Sequence, residues 1–335
     1  MKKFMILIMT VFVFISITIF TSTNATNPYL SISYTIYNDK KGPEGGMTTN
    51  IILYDIKNKK LEKLDSVEYT SQYPLGVYSK VDNKIYYSAE NKKTKGDELF
   101  SFDLKTGKVE QLTDGLFAIN EIIPRKNDII LVAVKRKTSA LRLINYNKLT
   151  KEMNYENLED DDTDTWSIGL NFNDNNEFYT STYSQSQRYK NAEMEWTREA
   201  DKFYYPDNTV YKYSGDLKNK EKIMFFEKEK VEAISATDKY LLLSISEELA
   251  DPLKDKAVIV DLDTKKQEEI VIKDYHIGIT ALAPDNKTIF FIGYPIDKDK
   301  KRGIYQYDMQ SKQVKEIFIQ EDGIGFINNF RLLNN

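Results

Sequence analysis

Phe100-Ser101-Phe102-Asp103-Leu104-Lys105-Thr106-Gly107-Lys108-Val109 decides the fold, because the chain writes it again and again. An alternating strand ends in an aromatic and an acid, a polar turn follows, and a second strand leaves the turn. Ile52-Leu53-Tyr54-Asp55-Ile56-Lys57-Asn58-Lys59-Lys60-Leu61 follows the same plan. So do Tyr146-Asn147 with 148–153, Val260-Asp261 with 262–267, and Tyr307-Asp308 with 309–314, while Tyr211–Ile223 is a degraded copy. The copies recur every 43 to 50 residues or so, the period at which propeller blades are encoded.

Between these copies lies a second recurring piece, a turn of Asp, Asn, Lys or Pro running straight into an apolar strand. It reads Val81-Asp82-Asn83-Lys84-Ile85-Tyr86-Tyr87, then Arg125-Lys126-Asn127-Asp128-Ile129-Ile130-Leu131, then Asn175-Asn176-Glu177-Phe178-Tyr179. Later copies are Thr237-Asp238-Lys239-Tyr240-Leu241-Leu242-Leu243 and Pro284-Asp285-Asn286-Lys287-Thr288-Ile289-Phe290-Phe291. Asp and Asn suit such turns because they tolerate positive φ and bond their own backbone two residues on. These acids therefore read as turn-makers rather than as catalytic carboxylates.

Each unit parses into four strands, a to d. In the unit Pro74–Thr113 they fall near Leu75–Ser79, Ile85–Ala89, Glu98–Phe102 and Val109–Leu112. A sheet that small cannot bury both faces alone, and radial stacking covers them. Strand b is the most apolar, as a strand packed on both sides should be. Tyr29–Tyr37 behaves as a b strand with no a strand before it, and Gly325–Leu333 as an a strand with no b strand after it. The sequence thus predicts an all-β, six-bladed propeller of four-stranded antiparallel blades, closed by the C-terminal strand joining the N-terminal blade.

Leu99–Thr113, which contains the opening stretch, and Ala283–Phe291 resemble the two halves of a TolB-like propeller repeat. The resemblance covers nearly the whole chain after residue 28 and implies a six-bladed propeller of the cell envelope. TolB carries a separate N-terminal α/β domain for which this chain has no room, so neither its partner-binding role nor any site residue transfers.

Composition agrees with the strand pattern. The 335 residues include 23 Tyr and 17 Phe, residue types that favour strands. The net charge is −4, and −6 once Lys2 and Lys3 leave with a cleaved leader, which argues against nucleic acid as a partner because phosphate binding needs a basic face. The absence of Cys excludes lipoprotein anchoring, thiol catalysis and thiolate metal sites without excluding export. Residues 1–26 read as a separate segment. Lys2 and Lys3 precede an uncharged run from Phe4 to Phe20, and Thr23 and Ala25 stand as in a small-x-small cleavage site. A signal peptide and an uncleaved membrane anchor both fit. In either case the 27–335 propeller works outside the cytoplasm, secreted or held at the outer side of the membrane.

Catalytic signatures are sparse. His276 is the only histidine and no G-x-S-x-G elbow accompanies it, so it reads as a partly buried strand residue. Gly323-Ile324-Gly325 is too short for a dinucleotide fingerprint. Paired carboxylates for glycoside chemistry stay open, because 51 acids offer many pairs and sequence gives no separations.

The loops say more. In a four-stranded blade the a–b and c–d turns emerge on one face of the disc, and the b–c and d–a connections on the other. The first set is short and uniform, whereas the second holds 39–47, 157–165, 184–207, 247–256 and 295–302. Function concentrates on variable loops held by a rigid scaffold, which places a binding surface on that elaborated face. Two of its loops are neighbours. Asn157–Thr165 is acidic, and Ser184–Asp207 is rich in aromatics. Ala192, Trp196, Ala200 and Phe203 recur at helical spacing, predicting a short amphipathic helix whose apolar stripe lies on the disc, with Trp196 either a packing plug or a ligand contact. The candidate binding residues are Arg188, Tyr189, Trp196, Arg198, Tyr204, Tyr205 and Trp166. Asp160, Asp162 and Asp164 copy the start of a calcium loop, but Thr165 replaces its Gly and Asn171 its bidentate Glu, leaving an irregular Ca²⁺ site as the only cofactor expectation.

The expected function is a non-catalytic module that binds a protein, peptide or glycan of the envelope. A polysaccharide hydrolase or lyase with acids near the central channel, and a purely structural envelope component, are the alternatives. A monomer is expected because ring closure leaves no edge strand to pair.

Overall fold

The computed structural model describes residues 27–39, 42–70, 72–156, 162–172, 176–197, 204–246, 255–297 and 301–334. Blade I contains β1 (Tyr29–Tyr37), β2 (Met47–Asp55) and β3 (Lys60–Glu68). Blade II is β4 (Gly76–Ser79), β5 (Lys84–Glu90), β6 (Asp97–Asp103) and β7 (Val109–Gln111). Blade III is β8 (Leu116–Pro124), β9 (Asp128–Lys135), β10 (Leu141–Asn147) and β11 (Met153–Tyr155). Blade IV is β12 (Thr163–Leu170), β13 (Phe178–Ser184), β14 (Asn208–Tyr213) and β15 (Lys220–Phe226). Blade V is β16 (Lys230–Ala236), β17 (Tyr240–Ser246), β18 (Lys256–Asp261) and β19 (Gln267–Ile270). Blade VI is β20 (Tyr275–Leu282), β21 (Thr288–Pro295), β22 (Gly303–Asp308) and β23 (Val314–Ile319). The last strand, β24 (Gly325–Leu333), returns to blade I, whose order is β24-β1-β2-β3.

Closure follows the pairing of last strand with first that the sequence implies. Tyr29 pairs with Leu333 and Ile36 with Gly325, and Asn328 is left over at a bulge where its amide donates to Thr35 Oγ1 at 2.8 Å. Ile327, Phe330, Leu332 and Leu333 of β24 are all buried. Each such burial contributes about 1.5–3 kcal/mol, so the closing strand alone supplies an amount comparable to a domain's entire net stability, about 5–15 kcal/mol.

The c–d turns show why the repeat looks as it does. Asp103 accepts from the Lys105 and Thr106 amides, and Asp261 and Asp308 make the same pair of bonds to their own turns. These backbone donors hold all three carboxyls below the ordinary Asp range. Each turn then needs one residue at positive φ, supplied by Gly107 (69°), Lys265 (60°) and Lys312 (59°). The b strands are buried almost end to end, and apolar clusters bridge every neighbouring pair of blades around the ring. The expectation that closure leaves no edge strand does not hold: closure pairs the chain ends, but each outer d strand remains an edge because a propeller blade pairs only within itself. Those edges are guarded by charge, as in exposed Lys60 and Glu62 on β3 and Glu268 and Glu269 on β19, the usual device against edge-to-edge pairing.

Cavities of about 30 and 10 Å³ lie between the a strands, and Arg331 of β24 forms an ion pair with Glu121 of β8 beside the smaller one. Tyr29 and Leu333 lie level with Asp55, at the face of the a–b and c–d turns. The described chain ends therefore leave from this lower face, opposite the long connections.

Candidate binding site

The site forms at the upper end of the seam between blades IV and V, where two inner strands bulge together. In β12, Thr165 pairs with Thr182 and Ser167 with Ser181, which leaves Trp166 without a partner. In β16, Val231 pairs with Ile245 and Ala233 with Ser244, which leaves Glu232. A bulge re-aims one side chain and adds local twist. Here the two re-aimed side chains meet, the indole Nε1 of Trp166 donating to Glu232 Oε2 at 2.9 Å. The other carboxylate oxygen, Oε1, lies 2.8 Å from Lys230 Nζ, and that ammonium sits 3.4 Å from the centre of the Trp166 ring. With a side chain only 14% exposed, Lys230 has its pKa pulled down by burial, with Glu232 opposing and the nearby Arg188 charge adding to the fall.

A helix, α1 (Gln185–Trp196), walls the other side. Ser184 caps it by accepting from the Gln187 amide at 3.1 Å. Asp162 accepts from Ser184 Oγ at 2.6 Å and from the Ser186 amide at 2.7 Å, bonds that hold its carboxyl below the ordinary range and put negative charge on the helix N-terminus. Gln185 reaches Asp164 at 2.8 Å, Gln187 donates to Asp207 at 2.9 Å, and Asn191 donates to the carbonyls of Tyr204 and Tyr205 at 3.0 and 3.2 Å. Pinned along its length, the helix presents Arg188, Tyr189 and Ala192 to the seam.

The resulting pocket holds about 290 Å³ and is lined by Trp166, Tyr183, Arg188, Tyr189, Ala192, Tyr205, Pro206, Asn208 and Lys230. Four of these nine are aromatic, and only Ala192 and Pro206 are aliphatic. Trp166 and Tyr183 lie 6.2 Å apart at 50°, and Lys230 also faces Tyr205 at 5.6 Å. Arg188 donates to the Tyr183 hydroxyl at 3.3 Å, and among the described residues no carboxylate lies within ion-pair distance of it. Burial raises the Tyr183 hydroxyl far above its ordinary pKa, so it stays a neutral hydrogen-bonding group.

Of the residues singled out from sequence, Arg188, Tyr189, Tyr205 and Trp166 converge on this pocket. Tyr204 lies beside it with its ring 5.5 Å from the Lys228 ammonium. Trp196 stands outside the lining, 89% exposed at the end of α1. Arg198 and Asp160 lie outside the described residues. The helix starts earlier than the Ala192 spacing implied, because Ser184 and Asp162 fix its first turn. Gln185 is its only buried residue, so the expected apolar stripe is not what seats it; Ala200 and Phe203 also lie outside the described residues. The acidic connection is shorter than read, since β12 begins at Thr163. Asp164 is a buried strand residue bonded to the Leu141 amide at 2.6 Å and to Gln185, and Asp162 is spent on the helix start. Among the described residues no group of three or more His, Asp or Glu stands ready for a metal.

Lys230, Glu232, Tyr183 and Asn208 were not legible as site residues. Lys230 and Glu232 open the next repeat, and their meeting with Trp166 depends on two bulges that leave no mark in a period-two pattern.

Solved structures that share the fold include the following three. TolB from Acinetobacter baumannii superposes with a TM-score of 0.56 at 13% identity over 91% of this chain, which spans 66% of the length of that TolB. An oligogalacturonate lyase in complex with manganese gives 0.53 at 13% identity, covering 87% of this chain and 74% of the lyase. The β-propeller domain of the Trilobed protease from Pyrococcus furiosus gives 0.50 at 14% identity, covering 87% and 83%. That propeller has an open velcro topology, whereas here β24 pairs with β1 and shuts the ring. No family model matches the sequence, and no match is found among the curated proteins. The fold is a TolB-like six-bladed propeller.

Proposed function

We propose that this chain is a non-catalytic binding propeller of the cell envelope, which holds a ring-bearing group of a protein, peptide or glycan in the pocket between blades IV and V. The observation that carries this reading is the pocket itself, a concavity of about 290 Å³ walled by four aromatic rings and two cations on the loop-rich face. Its volume is at the small end of ligand pockets, about 300–1,000 Å³. The TolB-like fold is compatible with such a role without specifying it.

Topology supports the orientation this role needs. An export or anchor segment in residues 1–26 would join the propeller at Asn27, on the lower face, and leave the pocket directed away from the membrane. The described acids of the inner strands β8, β12 and β16 give the enzyme alternative less support, because Glu121 is paired with Arg331, Asp164 is bonded to the Leu141 amide and Gln185, and Glu232 is bonded to both Lys230 and Trp166.

The test is capture from envelope extracts by the full-length chain and by Trp166→Ala and Tyr189→Ala variants. The reading expects each variant to lose at least about tenfold in capture, as removal of a central aromatic anchor does. Unchanged capture by both variants would overturn the site.

A further inference from the structure

The two charged walls of the pocket are not equivalent, and the difference points to the ligand. Lys230 is already neutralised, since Glu232 grips its ammonium and the Trp166 indole at once. Asp164, behind Tyr183, is likewise filled by the Leu141 amide and Gln185. Among the described residues, Arg188 alone keeps an uncommitted guanidinium edge in the pocket, with the Tyr183 hydroxyl as its one side-chain partner. A planar fork of donors of this kind fits a carboxylate.

The aromatic surface does not stop at the pocket. Tyr189, at its rim, is 63% exposed, and Trp196 is 89% exposed seven residues further along the same helix. Seven residues are two turns of α-helix, so the two rings share a face and stand about 10.5 Å apart along the axis. Large exposed rings in such a row make a stacking track for an extended chain of rings.

We propose that the pocket and α1 together bind an acidic glycan, with one carboxylate-bearing sugar seated against Trp166 and its carboxylate on Arg188, and with the following units stacked on Tyr189 and then Trp196. This rests on the pocket reading above and adds the chemistry of the ligand. A sugar suits the walls because its ring offers an apolar face to aromatics and hydroxyls to Tyr183 and Asn208. An aromatic peptide side chain also fits aromatic walls, but its ring carries no carboxylate for Arg188.

The probes are tetramannuronate, its methyl ester in which every carboxylate is neutral, methyl mannuronide as a single unit, and the dipeptide N-acetyl-Gly-Phe. The chain has two tryptophans, so the full-length Trp196→Phe variant reports on Trp166 alone while keeping a ring on the track. Tetramannuronate should perturb that emission and bind at least about tenfold more tightly than the ester. Arg188→Gln should erase the difference. Trp196→Ala should weaken the tetramer about threefold and leave the single unit unchanged. Equal affinity for acid and ester, a difference that survives in Arg188→Gln, no binding of the acid at millimolar concentration, or preference for the dipeptide would each overturn the proposal. In those cases envelope capture that still depends on Trp166 would leave the pocket reading standing, whereas capture indifferent to Trp166 would remove both.

Discussion

The seam between blades IV and V is closed at one end and open at the other, although the same two strands, β12 and β16, form both ends. At the lower end the backbones nearly touch. A Cβ on Gly169 would lie 2.2 Å from the Ile234 carbonyl oxygen, Asn171 bridges to Ala236 in parallel, and the Phe172 amide donates to the Ala236 carbonyl at 2.9 Å. At the upper end Trp166 and Glu232 bulge into the gap, and rings rather than backbone set the spacing. One missing side chain closes the seam and two extra strand residues open it. A propeller can thus gain a site without changing its repeat, provided that the opposite end of the seam holds the blades in place.

Changes at the closed end should show the largest effect. Gly169→Ala forces the Ile234 backbone to shift, and overpacking of this kind costs about 3 kcal/mol. In a domain of this size that lowers Tm by roughly 5–10 °C, and differential scanning calorimetry would measure it. A Tm unchanged within a degree would mean that the lower contact is not what fixes the seam. At the open end, Trp166→Ala should cost less, about 2 kcal/mol, because the ring is only half-buried, yet it should cut ligand capture at least about tenfold. Stability loss without loss of capture would make the rings mere spacers.

The third change sharpens the electrostatics. Burial lowers the Lys230 pKa from its ordinary 10.5, with Glu232 opposing. Between the lowered value and 10.5 the unfolded chain binds the proton that the folded one has released. This group's contribution to stability therefore rises with pH across that window. Urea titrations from neutral to alkaline pH should show Lys230→Met losing that rise while Lys256→Met keeps it. The smallest effect belongs to Trp196→Ala. An indole 89% exposed has little to lose, so stability should change by less than about 0.5 kcal/mol. A larger loss would show that α1 is seated by its far end and not by its capped start.

The ring was legible because its signals are local and repeated. Asp103, Asp261 and Asp308 mark one turn, Asn83 and Asn286 another, and apolar strands such as Asp128–Lys135 and Tyr240–Ser246 stand out between polar turns. Even closure could be read, since a lone first strand and a lone last strand have each other as the available partner. The helix was legible only in outline. Its start depends on Asp162, which lies 22 residues before Ser184 and becomes its neighbour through the strand pairing.

What the sequence by itself determined was therefore the architecture and the face on which side chains of unusual kind would gather. Alternation, turn chemistry and repeat length act over a few residues and are written directly in the chain. The tertiary structure alone decided which of those side chains meet. Trp166, Lys230 and Glu232 come together because two strands slip by one residue against their neighbours, and such a slip is a compromise among packed blades that no single segment encodes.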